Sequence, residues 1–459
     1  MGTLTGLMHV VTSALAADQK ALSATADNIS NQNTPGYTRR VVAWTEGDVV
    51  NVGTGTSPGV QATVTAQRDR VLQRSVQNAS EAASASSTRQ AALNQLQDLF
   101  KLNASGEDAA GIGAATSNFF NAASAISASP NDSSLRQTLF QAAQTFAGVL
   151  NRTASQIGSQ AASLNQQVSS SIAQVNALAT QVAALNRQIG EAPSDGTRDI
   201  LLDQRNNAVT QLSSLIDVNT VQSDRDGLSL TLSDGTSLVA GTTVQALSVA
   251  TVGGSARVYA SALLGHGDVT AAIRGGSIGG ALVVCDSDAP AVLSHLDALA
   301  TAVAAAVNGQ NAAGLLADGS AGGPIFSGTS AATLSVVATG ASAFAITAPG
   351  PVPGGNASAM GALQSAGLVG GNTPAGALSA MLVALGSKVS GLGVQATADA
   401  AIYTQVSTQL DTISGVSLDD EAANLTRYQR SYQAAAKVLS VVDELLAQAI
   451  NLGQPTTVN

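Results

Sequence analysis

The sequence predicts an α+β protein, mainly α, with long paired terminal helices and a helical bundle carrying an inserted, mostly antiparallel β domain. Three observations predict it: heptad-spaced apolar residues at both ends, long Gln/Ser/Ala-rich stretches after residue 70, and short β-type runs with Asp-Gly turns over 218–284. With 459 residues and ~150 per domain, about three domains are expected.

The first helix is predicted over 3–29. Leu4, Met8, Val11, Leu15, Leu22 and Ile29 fall at alternating three- and four-residue steps, with Asp18 and Thr25 in the two weak slots. That is the seam of a helix that packs lengthwise on another helix. It should stop at Asn33-Thr34-Pro35-Gly36-Tyr37, because proline forces its predecessor out of the helical region and glycine permits positive φ. Residues 37–75 change character: VVAWT and VQATVTA alternate, separated by GTGTSPG, and predict an extended or hairpin segment. Helix returns from 70 to 189, restarting at Ser129-Pro130-Asn131-Asp132; GEAPSDG stops it, and an amphipathic helix follows over 198–216.

A β domain is then expected over 218–289, with GGALVVCDSDAP (279–290) read as an extended stretch and a turn. Next come a helix over 290–308 and a Gly/Pro/Ser-rich region with short strands LSVVA and FAIT. The chain closes in helix from 376, broken at SGVSLDDE. Leu418, Leu425, Tyr432, Leu439 and Leu446 then recur every seven residues, with Tyr428, Ala435, Val442 and Ala449 three further on. This second seam begins with Ser417 as a cap and Asp419, Asp420 and Glu421 at the positive helix end. The expected division is therefore 1–35 with 415–459 as a terminal assembly region, and 36–217 with 290–310 and 376–414 as the bundle. The β insertion is 218–289, and 311–375 is a Gly-rich β/loop region beside it.

Composition excludes several functions. With 30 acidic and 20 basic side chains, the net charge is −10, and only four of the bases are lysine. No basic patch suits a phosphate backbone, so nucleic acid is not an expected partner. Charged residues make up 11%, against about 25% in ordinary domains. No run of ~18 apolar residues is found, so no membrane insertion is expected, nor does the N-terminal segment read as a cleavable leader. Cys285 is the single cysteine and reads as a small buried hydrophobe.

Catalytic motifs fail on context. Gly-Gly-Ser-Ile-Gly at 275–279, followed by Asp286, Asp288 and His295, follows hydrolase order, but a nucleophile elbow needs a strand before Ser277 and a helix after it. GLGVQA at 391–396 lacks a preceding strand. Asp224-Arg225-Asp226-Gly227 lacks the closing glutamate of a calcium loop. His9 reads as a solvated surface residue and His266 as a loop residue. No metal, no cofactor and no enzymatic activity are expected.

The energetics favour partners at the ends. Ordering the first helix costs roughly 1–2 kcal/mol per residue, while each seam side chain returns roughly 1.5–3 kcal/mol on full burial. A two-helix pair does not close that gap, so the ends are expected to order within a multi-subunit assembly, an intramolecular coiled coil being the alternative.

AADQKALSATADNISNQNTPGYTRR at 16–40 resembles the signature shared by bacterial flagellar axial proteins, the rod, hook and hook-associated subunits. SGVSLDDEAANLTRYQRSYQAAAKVLSVVDELL at 414–446 resembles its C-terminal counterpart. Arg39 after GYT, AQRDRVLQR, DILLDQRNNAVTQLSSLIDV, SGVSLDDE and AVNGQNAAGLLADGSAGGPIF are similar to the hook-associated branch. GGALVVCDSD, the short 327–375 region and Cys285 depart from the family pattern. The resemblance implies a structural subunit outside the cell, exported without a cleaved leader, that self-assembles in a ring or helical junction. Its implied partners are the hook protein, a second hook-associated protein, and a cytoplasmic export chaperone at the C-terminal helices. A hook or distal-rod subunit is the nearest alternative; a secreted hydrolase or adhesin using the β domain is the more distant one. On this reading the assembly residues are the two seams and the turn Asn33, Pro35, Gly36 and Tyr37.

Overall fold

The computed structural model describes residues 2–52, 55–100, 111–222, 227–262, 265–350 and 352–452. In chain order, α1 (Gly2–Asn31) leads into the antiparallel hairpin β1 (Arg40–Val52) and β2 (Gly55–Ala66), then α2 (Arg70–Asp98), α3 (Ile112–Ala128), α4 (Ser133–Gly190) and α5 (Asp195–Leu215). The sequence marks their starts. Asp69 Oδ1 accepts from the N–H groups of Val71 and Leu72, Asp132 does the same for Ser134 and Leu135, and Ser194 caps α5 through Thr197. Each side chain satisfies N–H groups that a helix leaves orphaned at its first turn.

Two small antiparallel sheets follow. The first holds β3 (Asn219–Gln222), β4 (Leu228–Thr231), β5 (Ser237–Ala240) and β6 (Thr243–Val244) in sequence order. The second holds β7 (Leu247–Val252), β8 (Ser255–Ala262) and β9 (Gly265–Asp268). Next come α6 (Gly276–Val283), a π turn at Val284–Asp288, α7 (Ala289–Ala313), the short pair β10 (Phe326–Ser327) and β11 (Ser335–Val336), α8 (Gly355–Ala362), α9 (Pro374–Ser414) and α10 (Leu418–Leu452).

The chain divides into two compact units. The first comprises residues 1–81, 175–246 and 400–459, and the second 82–174 and 247–399. In the first, α1 packs on α10 and on the hairpin, so the two ends of the chain lie side by side, as their seams predict. In the second, the core centres on Phe119, Phe146 and Phe326, whose ring centroids lie 5.7–6.3 Å apart, with Phe120 edge-on to Phe119 at 5.2 Å. Asp288, also in the second unit, is fully buried and paired with Arg89 (2.8 Å) and Lys388. Burial alone would raise its carboxyl, but hydrogen bonds and charge from those two bases hold it below the usual range.

Carboxamides make many of the tertiary joins in this sparsely charged chain. Asn186 of α4 donates to the carbonyls of Leu228 and Gly241 in the first unit. Asn165 donates to Gly254 and accepts from Ala256 in the second. Asn311 donates to Gly323 and Ala343 and accepts from Ala345. An uncharged side chain that both donates and accepts can satisfy buried backbone without the desolvation cost of an ion.

Four expectations are corrected. The β region is not one insertion: its first sheet belongs to the first unit and its second to the other, and 276–288 is helical. GGALVVCDSD is helix because Gly279 and Gly280 allow α6 close approach: a side chain at Gly280 would overlap the carbonyl of Ala85. FAIT forms no strand beyond the isolated bridge Leu315–Thr347, and His266 lies in β9 rather than a loop. Finally, Gly276–Ala313 and Pro374–Ile450 do hold 18-residue windows of mean hydropathy 1.5. Alanine raises that average without an unbroken run of large side chains. In the first stretch, α7 is a core helix that buries Leu296, Leu299, Val303 and Val307.

Candidate assembly site at the paired termini

The site lies in the first unit, where α1, the turn after it, the hairpin, α5 and α10 meet. The turn is closed by the Thr34 N–H to the Asn31 carbonyl (2.9 Å) and the Tyr37 N–H to the Thr34 carbonyl (3.1 Å). Gly36 sits at φ +78°, and a Cβ there would lie 3.2 Å from Asn207 Cβ of α5. Both the left-handed backbone and the close approach require glycine.

Asn28, one turn before the end of α1, fastens the strand to the helix. Its amide donates to the Arg40 carbonyl (2.9 Å), and its Oδ1 accepts from the Arg40 N–H (2.8 Å) and the Tyr37 hydroxyl (2.9 Å). Burial pushes the Tyr37 phenol up to about 12, with Arg40 opposing and nearby carboxylates reinforcing the shift. Beside it, Asp203 of α5 collects three partners: the Thr38 hydroxyl (2.8 Å), Arg40 (3.4 Å) and Arg68 (2.8 Å). Arg68 also pairs with Asp199 at 2.6 Å. Two guanidinium groups and two carboxylates thus form a nearly buried, charge-balanced cluster that holds both ends of the hairpin to α5.

The C-terminal helix joins at Arg39. Its N–H donates to the Ser414 carbonyl (2.8 Å), and its guanidinium pairs with Glu421 (2.8 Å). Trp44 of β1 meets Tyr428 of α10 at 6.0 Å, and the Arg427 guanidinium lies over the Tyr428 ring.

The structure places the predicted residues unevenly. Val11 is buried, while Leu4, Met8, Leu15, Leu22 and Ile29 are half-buried. The deepest line on α1 is instead Ala17, Ala21, Ala24 and Asn28, one position around the helix, with Asp18 and Thr25 also buried. Small side chains let α10 and the hairpin approach closely. On α10, Leu425, Leu439 and Leu446 are half-buried and the companion line carries the buried Tyr428 and Val442. Leu418 and Tyr432 are 46% and 39% exposed within the chain, whose own contact follows the Glu421–Tyr428–Val442 edge. Asn33, Pro35 and Gly36 are exposed and Tyr37 half-buried. Asn28, Thr38, Arg40, Arg68, Asp199 and Asp203 were invisible as a group, since their contacts bridge up to 165 residues.

Other motifs resolve locally. A helix does follow Ser277, contrary to expectation, but Asp288 is engaged by Arg89 and Lys388, and His295 is exposed on α7. Burial, reinforced by Asp286, pushes the Cys285 thiol up to about 11. His9 is exposed. Asp224–Asp226 lie outside the described residues, and among those described no group of three metal-ligating side chains occurs.

Three family models match in chain order. Residues 8–38 match the flagella basal body rod protein family, 102–326 the flagellar hook-associated protein FlgK helical domain, and 411–452 the C-terminal model of flagellar basal body rod FlgEFG proteins. These matches define an axial structural protein of the bacterial flagellum. The chain is 26% identical to flagellar hook-associated protein 1 of Bacillus subtilis, over 95% of this chain and 96% of that one. It is 24% identical to the same protein of Salmonella typhimurium, over 98% and 100%. The flagellar hook junction protein FlgK from Burkholderia pseudomallei shares the fold, with a TM-score of 0.68 over 74% of this chain and all of that one, at 19% identity. Over nearly its full length the chain is thus similar to flagellar hook-associated protein 1, and in fold to the hook junction protein.

Proposed function

We propose that this chain is a structural subunit of the bacterial flagellum that joins hook to filament by polymerising through its terminal helices. The observation that carries the mechanism is the two-faced character of α10. One edge, with Tyr428 and Val442, is buried within the chain, while Val438, Val441 and Leu445 are 45%, 54% and 45% exposed at three- and four-residue steps on another face. Burying three such side chains against neighbouring copies returns roughly 1.5–3 kcal/mol each at full burial. The Asn31–Tyr37 turn and the Arg40–Asp203 cluster fix where the chain leaves α1, so the terminal pair is presented in one orientation.

On this reading the subunit contacts copies of itself, hook protein on one side and a second hook-associated protein on the other. Before export, without a cleaved leader, a cytoplasmic chaperone covers the C-terminal apolar face. Deleting the gene should leave hooks without filaments, and labelled protein should localise to the junction between them. Normal filaments in the deletion strain, or label along the whole hook, would overturn the reading.

A further inference from the structure

The exposed face of α10 supplies one half of a contact between copies. By meeting itself, such a face closes a two-fold dimer; a ring or helical junction needs a different, complementary patch on the next copy. The first unit carries one. A cavity of about 440 Å³ opens between the Thr34–Tyr37 turn and α5, and every residue of its wall lies in the described chain. Ile200, Gln204 and Asn207 bring one stripe of α5 to it at four- and three-residue steps, and Pro35 and Tyr37 add to its apolar lining. Arg68 and Arg40 hold Asp199 and Asp203 on either side of Ile200 in sequence. That pairing sets the rotation of α5 and leaves Ile200 51% exposed beside the cavity. An apolar side chain held outward at the lip of a pocket marks an interaction site.

The charges match as well. The cavity wall holds Asp27 and Asp203 against Arg40 alone, a negative balance, and Asp27 is exposed. On α10 the exposed Lys437 stands one turn before Val441 on the same face, and Glu444 lies two turns beyond Lys437. Complementarity therefore fixes which end of the face meets Asp27. The face cannot fill its own cavity. Arg40 lines that cavity, and Arg39 beside it pairs with Glu421, so the cavity stands level with the first turn of α10. Residues 421–441 span roughly 30 Å of helix.

We propose that this cavity receives the Lys437–Leu445 face of α10 from a second copy of the chain, in a head-to-tail contact. The inference rests on the junction reading and names the receptor for its exposed helix face. Cross-linking of the full chain in a Cys285→Ser background tests it. An Ile200→Cys chain, mixed under polymerising conditions with a differently tagged Val441→Cys chain, should give a mixed dimer with a short bismaleimide; neither chain alone should. Asp27→Lys and Lys437→Asp should each raise the concentration needed for polymerisation roughly tenfold, and the chain carrying both should return near wild type. Asp27, Ile200 and Lys437 are exposed, so these variants keep the monomer's fold. Val252→Ser, exposed on the second unit, should change nothing. Cross-links in the Val441→Cys chain alone mark a two-fold contact of the face with itself and would overturn the proposal. Wild-type polymerisation by Asp27→Lys would do the same. So would polymers of this chain without mixed cross-links, the result expected if another axial subunit fills the cavity. Hooks without filaments in the deletion strain, alongside any of those three results, would overturn this contact and leave the junction reading standing.

Discussion

Arg39 and Glu421 meet at 2.8 Å across 382 residues of sequence, and the Glu421 carboxylate is only 2% exposed. One ion pair therefore links the segment leaving α1 to the first turn of α10. Removing one partner strands a buried charge, which costs about 3 kcal/mol or more, whereas removing both charges costs much less. Arg39→Ala should destabilise the first unit by about that amount, and adding Glu421→Gln should recover most of it. Urea unfolding followed by the fluorescence of Trp44, the single tryptophan, reads this directly. Equal losses in single and double variants would assign the effect to packing.

The pH dependence of stability should carry the mark of Glu81. Burial, opposed by the Val218 N–H and reinforced by Asp217, pushes its carboxyl up to about 7. A group raised in the folded state contributes stability that is complete below the ordinary carboxylate range and lost as pH rises through about 7. Between pH 5 and 8 the first unit should lose about 2 kcal/mol from this group, allowing for partial solvent screening. Glu81→Gln should remove that slope; an identical pH profile in the variant would rule out Glu81 as its source.

Gly36→Ala forces a left-handed backbone on an L side chain and brings a Cβ to 3.2 Å from Asn207. A cost of about 1–2 kcal/mol is expected. Gly235→Ala, also at positive φ but with nothing within 4 Å, should cost only the backbone part. The difference between the two, measured by chemical unfolding, isolates the contact with α5.

On α10, Val441→Ser with Leu445→Ser should leave the monomer's helicity and urea midpoint near wild type, because both side chains are already exposed. Polymerisation should fall sharply. Val442→Ser should instead destabilise the monomer by about 2–3 kcal/mol, since that side chain is 1% exposed. Wild-type assembly by the double variant would remove the exposed face from the mechanism.

Much of this was readable in the sequence because it is periodic or local. The helices at 2–31, 195–215 and 418–452, the stop at Asn33–Gly36 and the cap at Asp132 follow from spacing and turn chemistry within a few residues. What the sequence does not report is tertiary. Leu418 and Tyr432 share the heptad spacing of Leu425, Leu439 and Leu446, but spacing alone does not say which edge of α10 meets this chain and which stays exposed on it. Gly279 and Gly280 stand in a stretch read as extended, but they serve as close-packing sites in α6. Asp203 could not be paired with Arg40 and Arg68 from one sequence, because nothing in its neighbourhood reports which distant cation it meets.

The separation of 382 residues between Arg39 and Glu421 also sets an order in time. A chain delivered from its N-terminus presents α1 long before α10 exists to receive it. Closing a loop of that length in an unfolded chain costs about 5 kcal/mol in entropy, so the terminal pair gains little until the intervening helices have shortened the path. The terminal pair is therefore expected to close only after the intervening helices have formed.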